Sequence, residues 1–134
     1  MAERYFTVEE ANDALATVRP LAEEIVARRR ALREAQEHRA ELSRRIASNG
    51  AALDARRVAT LQAEVNREAK ALARCIAQIQ ELGVLVKDLD RGLIDFPALR
   101  GDEEVLLCWQ VGEEQVGYWH GLEEGFAGRR PLPL

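Results

Sequence analysis

The strongest constraint on this chain is an apolar seam that recurs in alternating steps of three and four. It runs through Leu21, Ile25, Leu32, Ala35, Leu42 and Ile46, breaks at Ser48-Asn49-Gly50, and resumes through Val58, Leu61, Val65, Leu72, Cys75, Ile79 and Leu82. A period near 3.5 kept up over this length predicts two antiparallel, coiled-coil-like helices joined at the Ser-Asn-Gly turn signal. Each would be ~40 Å long at 1.5 Å per residue. An arm of that length should project from a small fold or find a partner. Upstream, Thr7-Val8-Glu9-Glu10 has capping-box spacing and predicts a helix from Val8 to about Arg19. Pro20 either opens a second helix, where its missing N–H costs little, or kinks one continuous helix. Gly83 stands where a helix-terminating glycine is expected.

Three seam positions are polar: Arg28, Arg39 and Glu68. Closing the hairpin at Asn49-Gly50 sets Glu68 opposite Ala35, one turn from Arg39, and Arg28 opposite Cys75. This predicts an Arg39–Glu68 ion pair that fixes helix register. The alternative is that both stems lie along the seam and lift their charged ends into water.

The net charge of -4 on 134 residues is an average of unlike parts. Residues 1–82 carry 14 basic and 13 acidic side chains and two aromatics, Tyr5 and Phe6; residues 83–134 carry 5 basic and 10 acidic side chains with both tryptophans. Aromatics favour pleated surfaces and Ala, Arg, Glu and Leu favour helix. The chain therefore reads as α+β: a helical segment over 1–82, then a small antiparallel β-meander of three or four strands with an extended tail over 83–134, together one structural unit. The charge argues against a nucleic-acid partner, because the arginines of Arg28-Arg29-Arg30, Arg33, Arg44 and Arg45 are interleaved with Glu23, Glu24, Glu34, Glu37 and Glu41 at helical neighbour spacings. No stretch reaches the ~20 apolar residues of a membrane span, and the start does not read as a signal peptide. Two cysteines, Cys75 and Cys108, make no disulfide framework, so a cytoplasmic location is expected.

In the β half, strands are predicted at Val84–Lys87, at Leu93–Phe96 (stopped by Pro97), at Val105–Val111 and at Val116–His120. Closing the last hairpin on Glu113-Glu114 pairs Val111 with Val116, Trp109 with Tyr118 and Leu107 with His120. Cys108 and Trp119 then fall on the opposite face. On that register a Cys108–His120 dyad is set aside, since its members point apart. The only serines, Ser43 and Ser48, lie near the hairpin tip, and no phosphate-binding glycine loop or CxxC pair occurs. What remains is His120 among carboxylates, with Glu123 and Glu124 after it and Asp88, Asp90 and Asp95 in the neighbouring hairpin. Imidazole plus carboxylates can hold one divalent ion, Zn, Mn or Fe by ligand type. The plainer reading is a locally hydrogen-bonded His120 beside ordinary turn acids. Trp109, Tyr118 and Trp119 read first as core and second as walls of a small-ligand pocket.

Several stretches taken together resemble a family. They are Phe6-Thr7-Val8-Glu9-Glu10-Ala11-Asn12, Glu81-Leu82-Gly83-Val84, and Lys87 through Pro97, followed by Leu107-Cys108-Trp109, Gly112-Glu113, Tyr118-Trp119-His120 and Glu124-Gly125-Phe126-Ala127-Gly128-Arg129. The arrangement is similar to the small bacterial proteins grouped as domain of unknown function 2203, over essentially the whole chain. The resemblance implies a bacterial cytosolic protein and supplies no activity, substrate or cofactor. It draws attention to Glu10, Asn12, Lys87, Asp88, Asp95, Trp109, Glu113, His120, Glu124 and Arg129. A capped N-terminal helix lying across the sheet would bring Glu10 and Asn12 towards Asp88 and His120. The expected metal ligands are thus His120, Glu124, Asp88, Asp95 and Glu10, and the expected ligand-binding residues are Trp109, Tyr118 and Arg129. Two functions compete. One is a self-associating interaction module, a homodimer through the helical hairpin. The other is a small metal- or ligand-binding protein, or a hydrolytic enzyme, built on His120 and nearby carboxylates.

Overall fold

A computed structural model describes residues 2–49 and 55–134. One helix, α1 (Val8–Asn49), is followed by α2 (Ala55–Glu81) and five strands, β1 (Leu85–Asp88), β2 (Leu93–Arg100), β3 (Glu103–Gln110), β4 (Tyr118–Gly121) and β5 (Arg130–Pro131). A single 3-10 turn at Phe126–Gly128 precedes β5. The strands form one antiparallel meander in the order β1-β2-β3-β4-β5. The α+β class is as expected, with one strand more, because the tail returns along β4.

The capping box at the start of α1 is complete. Thr7 N donates to Glu10 Oε1 at 2.9 Å and Glu10 N donates to Thr7 Oγ1 at 3.0 Å. Those bonds hold the Glu10 carboxyl below its ordinary range. Pro20 lies inside α1 and does not end it. It is exposed, so water can satisfy the carbonyl that loses its intrahelical partner.

The helices pack one turn away from the expected register. Glu24, not Arg28, lies opposite Cys75, whose thiol donates to Glu24 Oε2 at 2.6 Å. Glu68 pairs with Arg28 (3.2 Å) and Arg39 bonds Gln62 (2.7 Å), so the Arg39–Glu68 pair does not form. The connection at 50–54, with Gly50 of the expected turn, lies outside the described residues.

One face of the sheet carries the core. Ala11, Leu15, Val18, Ala22 and Ile25 of α1 and Leu72, Cys75 and Ile79 of α2 cluster with Ile94, Phe96, Ala98, Val105, Leu107, Trp109 and Trp119. β2 continues through Pro97, contrary to expectation. The Pro97 carbonyl accepts from Phe6 N at 2.7 Å, which shows that its backbone groups face away from β3, so the missing N–H removes no ladder bond. The β3–β4 connection is pinned to α1. Arg19 donates to the carbonyls of Glu113 and Glu114 and stacks on Trp109, and Val116 N donates to Asn12 Oδ1.

A candidate metal centre on the far face of the sheet

The β3–β4 ladder decides where the polar residues point. Cys108 pairs with Tyr118, Leu107 with Trp119 and Leu106 with His120. This is one residue away from the register predicted by closing the hairpin on Glu113-Glu114. In a strand such a slip moves every side chain to the other face. The slip comes from the connection, which is no two-residue turn. It spans 111–117, and within it Trp109 Nε1 donates to Glu113 O, Gln110 N to Glu113 Oε1 and Glu113 N to Gln110 O. Cys108, Tyr118 and His120 therefore share the face turned away from the helices, while Trp109 and Trp119 face the core. The expected separation of Cys108 from His120 is overturned.

Asp95 pairs with Cys108 across β2–β3 and so joins the same face. Nδ/ε nitrogen, thiol sulfur and carboxylate oxygen of His120, Cys108 and Asp95 lie within 4.8 Å of one another. All three residues are buried, at 1%, 0% and 1% exposure respectively. His120 Nδ1 lies 2.7 Å from Gly121 O and Nε2 lies 3.2 Å from Asp95 Oδ1. A carbonyl oxygen only accepts, so Nδ1 carries a proton, and Nε2 faces a carboxylate oxygen. The place between nitrogen and oxygen is shielded from water and suits a proton or a metal ion. The Cys108 thiol is pushed up to about 12, first by burial and then by the Asp95 charge, with Arg129 pulling the other way. It stays a thiol unless a metal displaces its proton.

A zinc ion at 2.0–2.3 Å from its ligands, at tetrahedral angles, needs ligand atoms about 3.3–3.7 Å apart. The Nε2–Oδ1 spacing of 3.2 Å is close to that, and the sulfur lies within 4.8 Å of both partners. The Nδ1–H bond to Gly121 O is the kind of outer contact that orients a metal-binding imidazole.

The other expected site residues are placed differently. Glu10 is spent on the helix cap, and the helices pack on the opposite face, so the sheet separates Glu10 from His120. Asp88 Oδ1 accepts from Asp90 N and Arg91 N and shapes the β1–β2 turn. Glu124 accepts from Gly121 N (2.7 Å) and from Arg130 (2.7 Å). Trp109 is fully buried in the core. Tyr118 and Arg129 do lie together on the far face, with the guanidinium 4.0 Å from the Tyr118 ring centroid. Arg129 Nη2 also donates to Glu113 Oε1 and Oε2 at 2.8 and 2.7 Å. Cys108 is the candidate ligand that sequence reasoning missed; the signal that could have found it was the period-2 alternation itself, read on the correct register.

Comparison with known proteins reaches the family and stops there. A family model described as an uncharacterized conserved protein (DUF2203) matches residues 4–132. The chain belongs to the DUF2203 family. No curated protein matches it. No solved structure matches it either. The DUF2203 match covers helices, sheet and tail together, so the buried triad lies within the part that defines the family. Among the described residues of this DUF2203 chain, no helix is long and apolar enough to cross a membrane.

Proposed function

We propose that this DUF2203 protein binds one Zn²⁺ through Asp95 Oδ, Cys108 Sγ and His120 Nε2. The observation that carries the reading is His120 Nε2, its ring oriented by Gly121 O, aimed at a buried carboxylate beside a buried thiol. In the metal-free chain a proton takes the place between nitrogen and oxygen; in the loaded chain the ion does. Thiolate plus imidazole selects Zn²⁺ or Fe²⁺ over Mn²⁺, whose preference is for oxygen ligands. Three protein ligands leave a fourth position for water or a small ligand, as in catalytic rather than closed structural sites. Equilibrium dialysis against Zn²⁺, followed by elemental analysis, tests this. The wild-type chain should retain one equivalent, and His120→Ala and Cys108→Ser should each weaken retention by more than the roughly 10–100-fold that losing an outer-shell partner costs. Equal retention by all three proteins would refute it.

A second reading, self-association through the hairpin, is favoured by its distal part. Leu42, Ile46, Val58 and Leu61 are only half-buried, and a cleft of about 310 Å³ opens there beside His38, Leu42 and Leu61. A second copy of the chain, laid antiparallel as a four-helix arrangement, would fill that seam. The two buried free thiols, Cys75 and Cys108, fit a reducing, cytosolic setting.

A further inference from the structure

Arg129 is held more firmly than a surface arginine needs. Its side chain is 11% exposed. Nη2 is committed to both Glu113 oxygens and, at 3.4 Å, to Cys108 O, while the guanidinium plane lies against Tyr118 and Phe126. Its Nε is nevertheless buried with no hydrogen-bond partner, the one such side-chain atom among the described residues. Buried donors are almost always paired, so an acceptor is missing beside this nitrogen.

The missing acceptor belongs next to the triad. Arg130 pairs with Trp119 across β4–β5, which brings Arg129 out on the opposite, triad-bearing face, over Tyr118. Its carbonyl partner is Cys108, and its charge is felt by the Cys108 thiol. We infer that Arg129 Nε–H and the fourth position of the metal together bind one small monocarboxylate, one oxygen on the ion and the other on Nε. This inference rests on the zinc reading of the triad. Lysine could not replace Arg129, because the aromatic stack uses the planar guanidinium and an ammonium has no second nitrogen to serve an anion while the first holds Glu113.

The test uses the full chain loaded with Co²⁺ in place of Zn²⁺, titrated with formate and acetate. The wild-type visible spectrum should change and saturate with either anion. Arg129→Lys and Arg129→Gln should retain one equivalent of metal but bind the anions at least tenfold more weakly. A wild-type spectrum indifferent to both anions would overturn the carboxylate site while leaving the metal centre standing. Unchanged anion affinity in metal-loaded Arg129→Lys would overturn the role of Nε. Failure of the wild-type chain to take up metal at all would overturn the zinc reading and this one with it.

Discussion

Cys75 and Cys108 show how one residue type takes different chemistry from its surroundings. Cys75 sits in the helical seam, and burial, then Glu24, push its thiol up to about 11 from 9.0. Between those values the unfolded chain sheds a proton that the folded chain keeps, so stability falls as pH rises. The contribution is whole below pH 9 and is lost as pH climbs through 11. Cys75→Ser, which can still donate to Glu24 but does not titrate there, should flatten the decline in unfolding free energy over that window, read by urea titration at stepped pH. Glycine positions are legible in the same residue-level terms. Gly92 and Gly101 both adopt positive φ (64° and 63°), but a Cβ on Gly92 would come within 2.4 Å of Val111 Cγ2 and 3.0 Å of Val26 Cγ2, whereas one on Gly101 meets nothing. Gly92→Ala should cost about 3 kcal/mol by strain plus overpacking, and Gly101→Ala about 1 kcal/mol by strain alone. Equal losses in denaturant unfolding would contradict the packing around Gly92. For the site, residue types were readable from the sequence: His120 and Asp95 were both singled out. Cys108 was not, because its face depends on a loop whose hydrogen bonds to Glu113 no local pattern announces.

At the level of elements, the sequence carried the helix cap, the two long helices and the first four strands, since each rests on period or capping chemistry within a short window. What it did not carry was register, in both the helical hairpin and the β3–β4 hairpin. The β3–β4 register depends on how its connection is built, and the helical register on long-range contacts such as Cys75–Glu24 and Arg28–Glu68 that no short window contains. In the arm the error exchanged Arg39 for Arg28 as the partner of Glu68; in the sheet it moved His120 to the wrong face. The Arg28–Glu68 pair is only partly shielded, with side-chain exposures of 40% and 13%. Replacing the acid by a hydrophobe therefore removes a desolvation cost as well as an attraction, and the Arg28 head can stay in water. Glu68→Leu should leave unfolding free energy within about 1 kcal/mol of wild type or raise it. A loss of several kcal/mol would mean that the pair, not the apolar seam, holds the arm in register.

The whole molecule is a sheet with unlike faces. One buries a continuous apolar core against the helices; the other, under the C-terminal segment, buries a histidine, an aspartate and a cysteine that no core requires. The arm extends past that core, with α1 reaching ~63 Å at 1.5 Å per residue, and its distal seam stays half-covered. Analytical ultracentrifugation over a wide concentration range should find a dimer, and Leu42→Glu together with Leu61→Glu should return it to a monomer without loss of helix content. A wild-type chain monomeric throughout would remove the hairpin from consideration as an interface.

The central claim is that the far face holds a thiolate-ligated metal ion. Its most direct test is the absorption spectrum of the Co²⁺-loaded chain. The account predicts a thiolate-to-cobalt charge-transfer band in the near ultraviolet, together with visible bands of tetrahedral strength, and loss of the near-ultraviolet band in Cys108→Ser. A cobalt spectrum without the thiolate band, or one unchanged by that substitution, would contradict it.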